Sequence, residues 1–246
     1  MKKVMSHELY FFHSENKLRE NRSELINMQG KKHNSLLSSI SSSFLKTIGR
    51  NMNAFALKFI SDYLFIVVEK IIVKLPLLLS TYITYYEDIV DKEIIIAKIT
   101  RQDNVLHIGC GSVPSTSLLI AQKTNARTIG IDKNIPTVKD AQNCVHALHQ
   151  ENQIQIHHAD ALTYTMQSSD VIIVSQGIEP RYEILEHIAK TIGPTTRVIF
   201  RTFASKNDKI TEEDMILSTL FSVQDIVTHP QHGILISVLL RKKTAE

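Results

Sequence analysis

The chain has 246 residues, a formal net charge of +3 and 43% hydrophobic residues. This length and hydrophobic content suit one large domain, or a small domain joined to a larger one. The charge is mild and forms no dense stripe of Lys and Arg with interleaved aromatic residues, which argues against nucleic-acid binding and leaves a small acidic molecule as the more modest inference.

The first hundred residues have the spacing of helices and no strand alternation. Apolar residues recur at helical intervals around the Ser-rich residues 34–44, which predicts one or two amphipathic helices before residue 50. A more buried helix is predicted over residues 54–79, ending near Pro76, and another from about Thr84 to Ile99. We therefore expect a helical N-terminal region over residues 1–100.

The stretch from Tyr63 to Leu79 is the one that resembles a membrane helix. It carries Glu69, Lys70 and Lys74, and charges at the centre of a bilayer are costly. The stretch is therefore predicted to pack into the protein, with a membrane-surface helix as the alternative. The start of the chain is basic but has no apolar run, unlike a signal peptide, so a cytoplasmic protein is expected.

The pattern changes at Asn104, where short β-branched runs begin to alternate with helical segments. Strands are predicted at 104–108, 126–132, 154–160, 170–175 and 197–203, with helices at 114–124, 135–150 and 179–192. Such alternation is typical of a parallel sheet with helices on both faces. Two β-rich runs at the end, Phe221–Thr228 and Gly233–Arg241, predict an antiparallel hairpin.

A doubly wound sheet that closes with an antiparallel hairpin is the arrangement expected of class I enzymes that use S-adenosylmethionine (SAM). We therefore predict an α/β fold, with a Rossmann-like SAM-binding domain over residues 101–246. The two cysteines, Cys110 and Cys144, have no metal-binding spacing and are predicted to be free thiols in a reducing compartment.

A glycine loop follows the first predicted strand. Gly109 and Gly111 allow the backbone to turn sharply and approach a ligand, and the next helix offers free N–H groups at its start. Pro114 stands where a dinucleotide-binding loop has a third glycine. The loop, which includes Cys110, is predicted to bind a cofactor; an ordinary tight turn is the alternative.

Polar residues follow the next strands at the edge where ligands bind in such sheets. Asp132 is predicted to accept both ribose hydroxyls, with a helix N-cap as its alternative role. Asp160 is predicted to face the adenine amino group, with a solvated turn as the alternative. The predicted cofactor-binding residues are His107, Gly109, Cys110, Gly111, Asp132, Lys133, Asp160, Ala161, Ser175 and Gln176.

His107 stands where many methyltransferases carry an acidic residue. A neutral histidine there could hydrogen-bond the amino group of the cofactor, or could simply pack within the strand. The later histidines do not suggest a metal site: His146 and His149 share a helix face, whereas His157 and His158 point to opposite sides of a strand. No protein-bound metal is expected.

Several segments together resemble the nicotianamine synthases and their bacterial and archaeal relatives that make opine-type metallophores. The loop GCGSVPSTS matches the family pattern Gly-Ser-Gly-Pro-x-Pro-x-Thr-Ser, which also lacks the acidic residue at the position of His107. HHADA, VIFRTFAS and YYEDIVDKEIIIA are similar to other family segments, and so is the terminal hairpin, including His229 and Pro230. The resemblance covers roughly Thr84 to Lys242, with departures at Ser112 and Ile89.

The resemblance implies an uncommon use of SAM as co-substrate. Members of this family transfer its 3-amino-3-carboxypropyl (aminobutyrate) group to an amine, and methylthioadenosine leaves. The position of the nucleophile decides which carbon of the sulfonium reacts. An ammonium must also lose its proton, which calls for a base. Tyr85, Tyr86 and Glu87 are the candidate catalytic residues, with aromatic packing as their alternative role.

Arg201 is the candidate substrate-binding residue, because its side chain could bind a carboxylate in a bidentate way; a surface arginine is the alternative. The expected partner is a small amino acid, without nucleic acid or a membrane. A homodimer is compatible with the sequence. Two other functions stay open: a methyltransferase for small molecules, and a non-catalytic SAM-binding or membrane-associated protein.

Overall fold

A computed structural model of the chain describes residues 76–203 and 217–243. Its main helices are α1 (Pro76–Tyr85), α2 (Glu87–Ala97), α3 (Ser115–Thr124), α4 (Ile135–Ala147) and α5 (Arg181–Thr191). Its strands are β1 (Asn104–Ile108), β2 (Arg127–Asp132), β3 (Ile154–His158), β4 (Val171–Val174), β5 (Arg197–Phe203), β6 (Phe221–Thr228) and β7 (Leu235–Lys242).

The seven strands form one sheet in the order β3-β2-β1-β4-β5-β7-β6. Strands β1 to β5 are parallel, whereas β7 is antiparallel to both β5 and β6. The predicted α/β fold with a C-terminal antiparallel hairpin is therefore confirmed. The carboxyl ends of β1 to β5 lie at one edge, and the strand order reverses between β1 and β4, where such sheets bind ligands.

Helices cover both faces of the sheet, which explains the continuous apolar strands. All four residues of β4 are buried, as a parallel strand covered on both sides requires. One face, with Leu106 and Phe200, packs against α5. The other face, with Val105 and Ile199, packs against α2 and α3. The candidate site develops at the carboxyl end of this second face.

Arg197 fixes the position of α2 across the sheet. From the start of β5, its guanidinium donates to the carbonyl oxygens of Ala97 at 2.7 Å and Lys98 at 3.0 Å. It also pairs with Asp103. The end of α2 is therefore held at the amino end of β5. Glu93, one helical turn before Ala97, consequently lies over the later part of β5, beside Arg201.

The sequence misplaced one helix boundary in the region before β1. The predicted helix from Thr84 to Ile99 is two helices that meet at Tyr86. The predictions for residues 1–75, including most of the membrane-like stretch, lie outside the described residues.

The terminal hairpin also differs from the prediction in one detail. Its second strand begins at Leu235 rather than Gly233, because Pro230–His232 form a 3₁₀ turn and Gly233 adopts a φ of 74°. Helices α1 and α2 belong to the same compact unit as the sheet.

Two sequence-level questions have direct answers in the structure. Neither Cys110 nor Cys144 forms a disulfide, as predicted, and both side chains are buried. Within residues 76–203 and 217–243, none of the helices has the length and apolar character needed to cross a membrane.

Candidate active site

The glycine loop between β1 and α3 is held tightly against its neighbours. Gly109 and Gly111 have φ values of 76° and 70°, which favour glycine. The N–H groups of Gly109 and Cys110 donate to the carbonyl oxygen of Ile131 in β2, at 2.9 and 3.1 Å. A Cβ at Gly109 would lie 2.6 Å from Cγ2 of Ile178, so only glycine fits this turn.

Asp132 lies beside the loop at the end of β2. One of its carboxylate oxygens accepts from the N–H of Gly111 at 3.3 Å, and the other accepts from the N–H of Asn134 at 2.9 Å. The cap of α4 is Asn134, whose side chain accepts from the N–H of Thr137. The alternative role of Asp132 as N-cap is therefore wrong, and its half-buried carboxylate faces the loop instead.

The other predicted cofactor-binding residues lie at the ends of β2, β3 and β4. Lys133 is exposed and donates to the carbonyl oxygen of Glu179 at 2.8 Å. Asp160 is exposed in a turn, where its carboxylate accepts from the N–H of Leu162 at 2.9 Å. Ala161 is buried, and Ser175 and Gln176 are half-buried. These residues share the carboxyl edge of the parallel strands with the glycine loop.

His107 is buried in β1 with both ring nitrogens bonded to serines. Its Nδ1 lies 3.1 Å from the hydroxyl of Ser117, and its Nε2 lies 2.9 Å from the hydroxyl of Ser175. Burial, assisted by the positive charge of Arg201, lowers the pKa of His107 to about 3. The structure therefore shows a buried, neutral histidine between Ser117 and Ser175, at the end of β1 that leads into the glycine loop.

We expect the free energy of unfolding to depend on pH through His107. Its pKa is about 3 in the folded protein and near 6.5 in an unfolded chain. The unfolded state therefore binds more protons below pH 6.5, and stability falls as the pH drops through this range. From pH 8 to pH 5 this residue should account for a loss of about 2 kcal/mol.

Urea denaturation at both pH values, in the wild type and in His107→Gln, measures this contribution. The variant has no titrating group at this position. Its free energy of unfolding should therefore fall less between pH 8 and pH 5 than that of the wild type, by about 2 kcal/mol. Equal losses in the two proteins would show that His107 titrates normally.

Arg201 lies in a buried ion pair with Glu93. Their side chains are 5% and 0% exposed, and two charge-assisted hydrogen bonds of 2.7 Å join the guanidinium to the carboxylate. Arg201 also donates to the hydroxyl of Thr116 at 3.0 Å. Burial lowers the pKa of Arg201, but Glu93 more than offsets this and the pKa is raised.

This pair corrects the alternative role of Arg201. It is not a surface arginine, and its bidentate partner in the structure is Glu93. The burial of Glu93 was missed because its partner is 108 residues away in the chain. An acidic residue within an apolar helical run, DKEIIIA, was the available signal.

The hydrogen bonds continue from Glu93 into the terminal hairpin. The hydroxyl of Ser237 donates to Glu93 at 2.6 Å, and Nε2 of His229 lies 2.9 Å from that hydroxyl. Ser237 stands opposite Arg201 in the sheet. We call the residues joined in these two networks the polar layer: His107, Ser117 and Ser175 in one, and Glu93, Thr116, Arg201, His229 and Ser237 in the other.

The structure brings two of the three predicted catalytic residues toward the polar layer. Tyr86 is close enough to Arg201 to raise the pKa of the guanidinium. The Tyr85 ring packs edge-on against His232, with centroids 4.3 Å apart. Glu87 instead binds Lys123, at 2.8 Å, in the last turn of α3. It therefore points away from the glycine loop, which precedes the first turn of that helix.

Two histidines of the terminal hairpin carry buried ring nitrogens without a hydrogen-bond partner. They are Nδ1 of His229 and both nitrogens of His232. Burial lowers the pKa of both residues. From sequence, His229 stood out only within the family resemblance, and neither histidine had a predicted role. In the described part of the chain, no group of three or more His, Cys, Asp or Glu side chains could hold a metal ion.

The chain matches no protein-family model and no curated protein. Its structure is similar to that of MtNAS, a nicotianamine synthase. For MtNAS in complex with MTA and tNA, the TM-score is 0.62 and the identity 17%, covering 72% of this chain and 69% of that chain. For a glutamate-to-glutamine mutant of MtNAS in complex with SAM, the TM-score is 0.61 and the identity 17%. This alignment covers 71% of this chain and 70% of that chain.

A second crystal structure of that mutant aligns with a TM-score of 0.59 and 20% identity. The alignment covers 66% of this chain and 62% of that chain. An RNA methyltransferase from Salinibacter ruber, in complex with S-adenosyl-L-homocysteine, gives a TM-score of 0.52 and 14% identity over 65% of this chain and 94% of that chain. The predicted resemblance to nicotianamine synthases is confirmed at the level of the fold. The strand order and these likenesses show that the chain has the Rossmann-like fold of class I SAM-dependent transferases.

Proposed function

We propose that this protein is a SAM-dependent transferase that moves the aminobutyrate group of SAM to an amine of a small amino acid. The product would be a nicotianamine-like metallophore or its precursor. One observation carries the proposal: the glycine loop, Asp132 and Ser175 meet at the carboxyl edge of β1, β2 and β4, in a fold shared with MtNAS, which was crystallised with SAM and with MTA.

The residues at this edge suit SAM as a co-substrate. A Cβ at Gly109 would lie 2.6 Å from Cγ2 of Ile178, so the glycine allows the tight backbone turn at this edge. The hydroxyl of Ser115, at the start of α3, is buried without a partner and could donate to a carboxylate. Asp132 would accept the ribose hydroxyls and Asp160 would face the adenine, while Ser175 and Gln176 would line the wall after β4.

The chemistry depends on which carbon of the sulfonium the amine reaches in line. The chain's own residues would decide this by orientation. Arg201 and Glu93 brace Thr116 at the first turn of α3 and so fix the helix start beside the glycine loop. Arg201 would therefore act on the substrate through these neighbours, rather than by the direct contact predicted from sequence.

Tyr85 and Tyr86 would orient the acceptor amine or hold its carboxylate. Tyr85 is 41% exposed and so can contact a small molecule, and Tyr86 packs between Tyr82 and Tyr85 with ring centroids 5.3 and 5.5 Å away. Glu87 would have to leave Lys123 before it could accept a proton from the amine.

A small-molecule methyltransferase is the second candidate function. It uses the same SAM site and is supported by the methyltransferases with the same fold, such as the Mitomycin 7-O-methyltransferase MmcR, at a TM-score of 0.54. Aminobutyrate transfer is favoured by the higher TM-scores of the MtNAS structures, 0.59 to 0.62, and by the segments that resemble nicotianamine synthases.

The nucleoside by-product distinguishes the two functions. We expect incubation of the protein with SAM and single amino acids, such as histidine or glutamate, to release methylthioadenosine and to add an aminobutyrate group to the acceptor. Mass spectrometry measures both products. S-adenosylhomocysteine without methylthioadenosine would contradict aminobutyrate transfer and support methyl transfer.

SAM slowly decomposes to methylthioadenosine without an enzyme, so the assay needs two controls. One omits the acceptor and the other omits the protein. Only methylthioadenosine that requires both, and that equals the modified acceptor in amount, supports the proposal.

A further inference from the structure

The unpartnered nitrogens of His229 and His232 lie together in the turn between β6 and β7. His229 is fully buried, and the two ring centroids are 6.4 Å apart. Buried polar atoms are nearly always hydrogen-bonded, because leaving one unpaired is costly. A neutral His232 keeps a proton on one of its two nitrogens, so these atoms indicate a binding site for a group that donates hydrogen bonds to the remaining lone pairs.

The hydrogen bonds behind His229 determine which ring nitrogen carries its proton. The Glu93 carboxylate, ionised beside Arg201, can only accept, so the single hydroxyl proton of Ser237 goes to Glu93 at 2.6 Å. The Ser237 oxygen must then accept from Nε2 of His229 at 2.9 Å. A neutral imidazole has one N–H, which leaves Nδ1 of His229 with a lone pair and no partner.

Aromatic rings stand beside His232, whose ring neighbours that of His229. The Tyr85 ring meets His232 edge-on at 4.3 Å between centroids, and the Tyr86 ring lies 5.5 Å from that of Tyr85. Aromatic faces attract ammonium groups, and imidazole lone pairs accept their hydrogen bonds. The combination suits a cationic amine better than a carboxylate or an alcohol.

We propose that Tyr85, His229 and His232 bind the ammonium group of the acceptor, and that Nδ1 of His229 removes its proton. This inference rests on the proposed function, in which an amine attacks SAM. An ammonium N–H bond breaks and the proton goes to Nδ1. The freed lone pair forms a C–N bond with the alkyl carbon, the electrons of the C–S bond go to sulfur, and neutral methylthioadenosine leaves. His229 then releases the proton to solvent.

The surroundings keep His229 neutral, as a base must be before it acts. Burial lowers its pKa, and so do Lys92 of α2 and Arg201 of β5, whereas Glu93 and Asp88 of α2 raise it. His232 is held neutral in the same way. The ring nitrogens are screened from solvent, so the acceptor reaches them after a movement of Tyr85, which is 41% exposed and rests on His232.

The first test needs no turnover. Nitrogen-15 spectra of the histidine rings at pH 7 should show His229 neutral, with its proton on Nε2. The signal is assigned by its loss in His229→Gln and, independently, by its shift in Ser237→Ala. A proton on Nδ1, or on both nitrogens, would overturn the inference.

The second test is the kinetics of His229→Gln. The glutamine amide can still donate to Ser237 from the position of Nε2, but it offers no base at Nδ1. We expect kcat at pH 7 to fall 10²- to 10⁴-fold, with the Kd for SAM within twofold of the wild type. The variant's rate should rise about tenfold per pH unit toward the pKa of the acceptor amine, because the amine must then arrive already neutral.

His146→Gln is the matched control, since the side chain of this histidine is 79% exposed on α4. It should keep the kcat and the pH profile of the wild type. A kcat of His229→Gln within threefold of the wild type, or a loss that comes only from weaker SAM binding, would overturn the inference.

The two proposals fail separately. If the wild type releases only S-adenosylhomocysteine, aminobutyrate transfer is contradicted. The tautomer of His229 is measured by the nitrogen-15 spectra independently of this result. Conversely, a proton on Nδ1 sinks the role of His229 even if methylthioadenosine forms.

Discussion

Replacing Arg201 with methionine is expected to lower the free energy of unfolding by about 3–5 kcal/mol. The substitution keeps much of the side-chain volume but removes the charge that neutralises Glu93, whose carboxylate has no exposure to water. Removing one partner of a buried pair leaves the other charge uncompensated, and this costs more than the pair itself contributes. Urea denaturation at pH 7 measures the loss.

A second substitution should recover much of this stability. Glu93→Gln in the Arg201→Met background removes the orphaned charge but keeps an oxygen that can accept from Ser237. We expect a coupling energy of about 1–3 kcal/mol in the double-mutant cycle. As a control, Lys190→Met breaks an exposed pair with Glu186 and should cost about 0.5 kcal/mol or less.

The cycle also tests whether Arg201 is structural or binds substrate directly. If Arg201→Met leaves stability within about 1 kcal/mol of the wild type and instead weakens binding of the acceptor amino acid, the buried pair is not the main role of this arginine. The direct contact predicted from sequence would then be the better description.

Much of the sheet could be predicted from sequence because its information is local. The strands β1 and β4 are short apolar runs, each followed by small or polar residues. The break between α1 and α2 was missed because no glycine or proline marks it. The start of β7 was misplaced because the 3₁₀ turn at Pro230–His232 takes up three residues of the connection.

The candidate site was only partly predictable, for the opposite reason. Glycine conformations and carboxylates at strand ends follow from local pattern, so Gly109, Gly111 and Asp132 were found in the sequence. The ion pair within the polar layer depends on contacts between residues more than 80 positions apart, namely the bonds of Arg201 to Glu93 and Thr116. The sequence pattern shows neither that Glu93 is buried nor which ring nitrogen of His229 lacks a hydrogen-bond partner.

Replacing Gly109 with alanine is expected to have the largest effect on binding of SAM. An L-residue at a φ of 76° costs about 1–3 kcal/mol in backbone strain. The new Cβ would also lie 2.6 Å from Cγ2 of Ile178 and 3.3 Å from Cβ of Ser175, so the loop or the wall after β4 must move. A displacement of this size at a binding loop should weaken the Kd for SAM at least about tenfold.

Calorimetric titration with SAM, together with urea denaturation, separates the two parts of this effect. Ile178→Ala in the same background removes the 2.6 Å contact but not the strained φ, so it should restore part of the affinity and little of the stability. Gly193→Ala is the matched control, because its Cβ would meet nothing closer than Thr196 at 4.0 Å. An affinity of Gly109→Ala equal to that of Gly193→Ala would mean that the glycine loop does not contact SAM. The site proposed at the carboxyl edge of β1 would then be wrong, whatever by-product the enzyme releases.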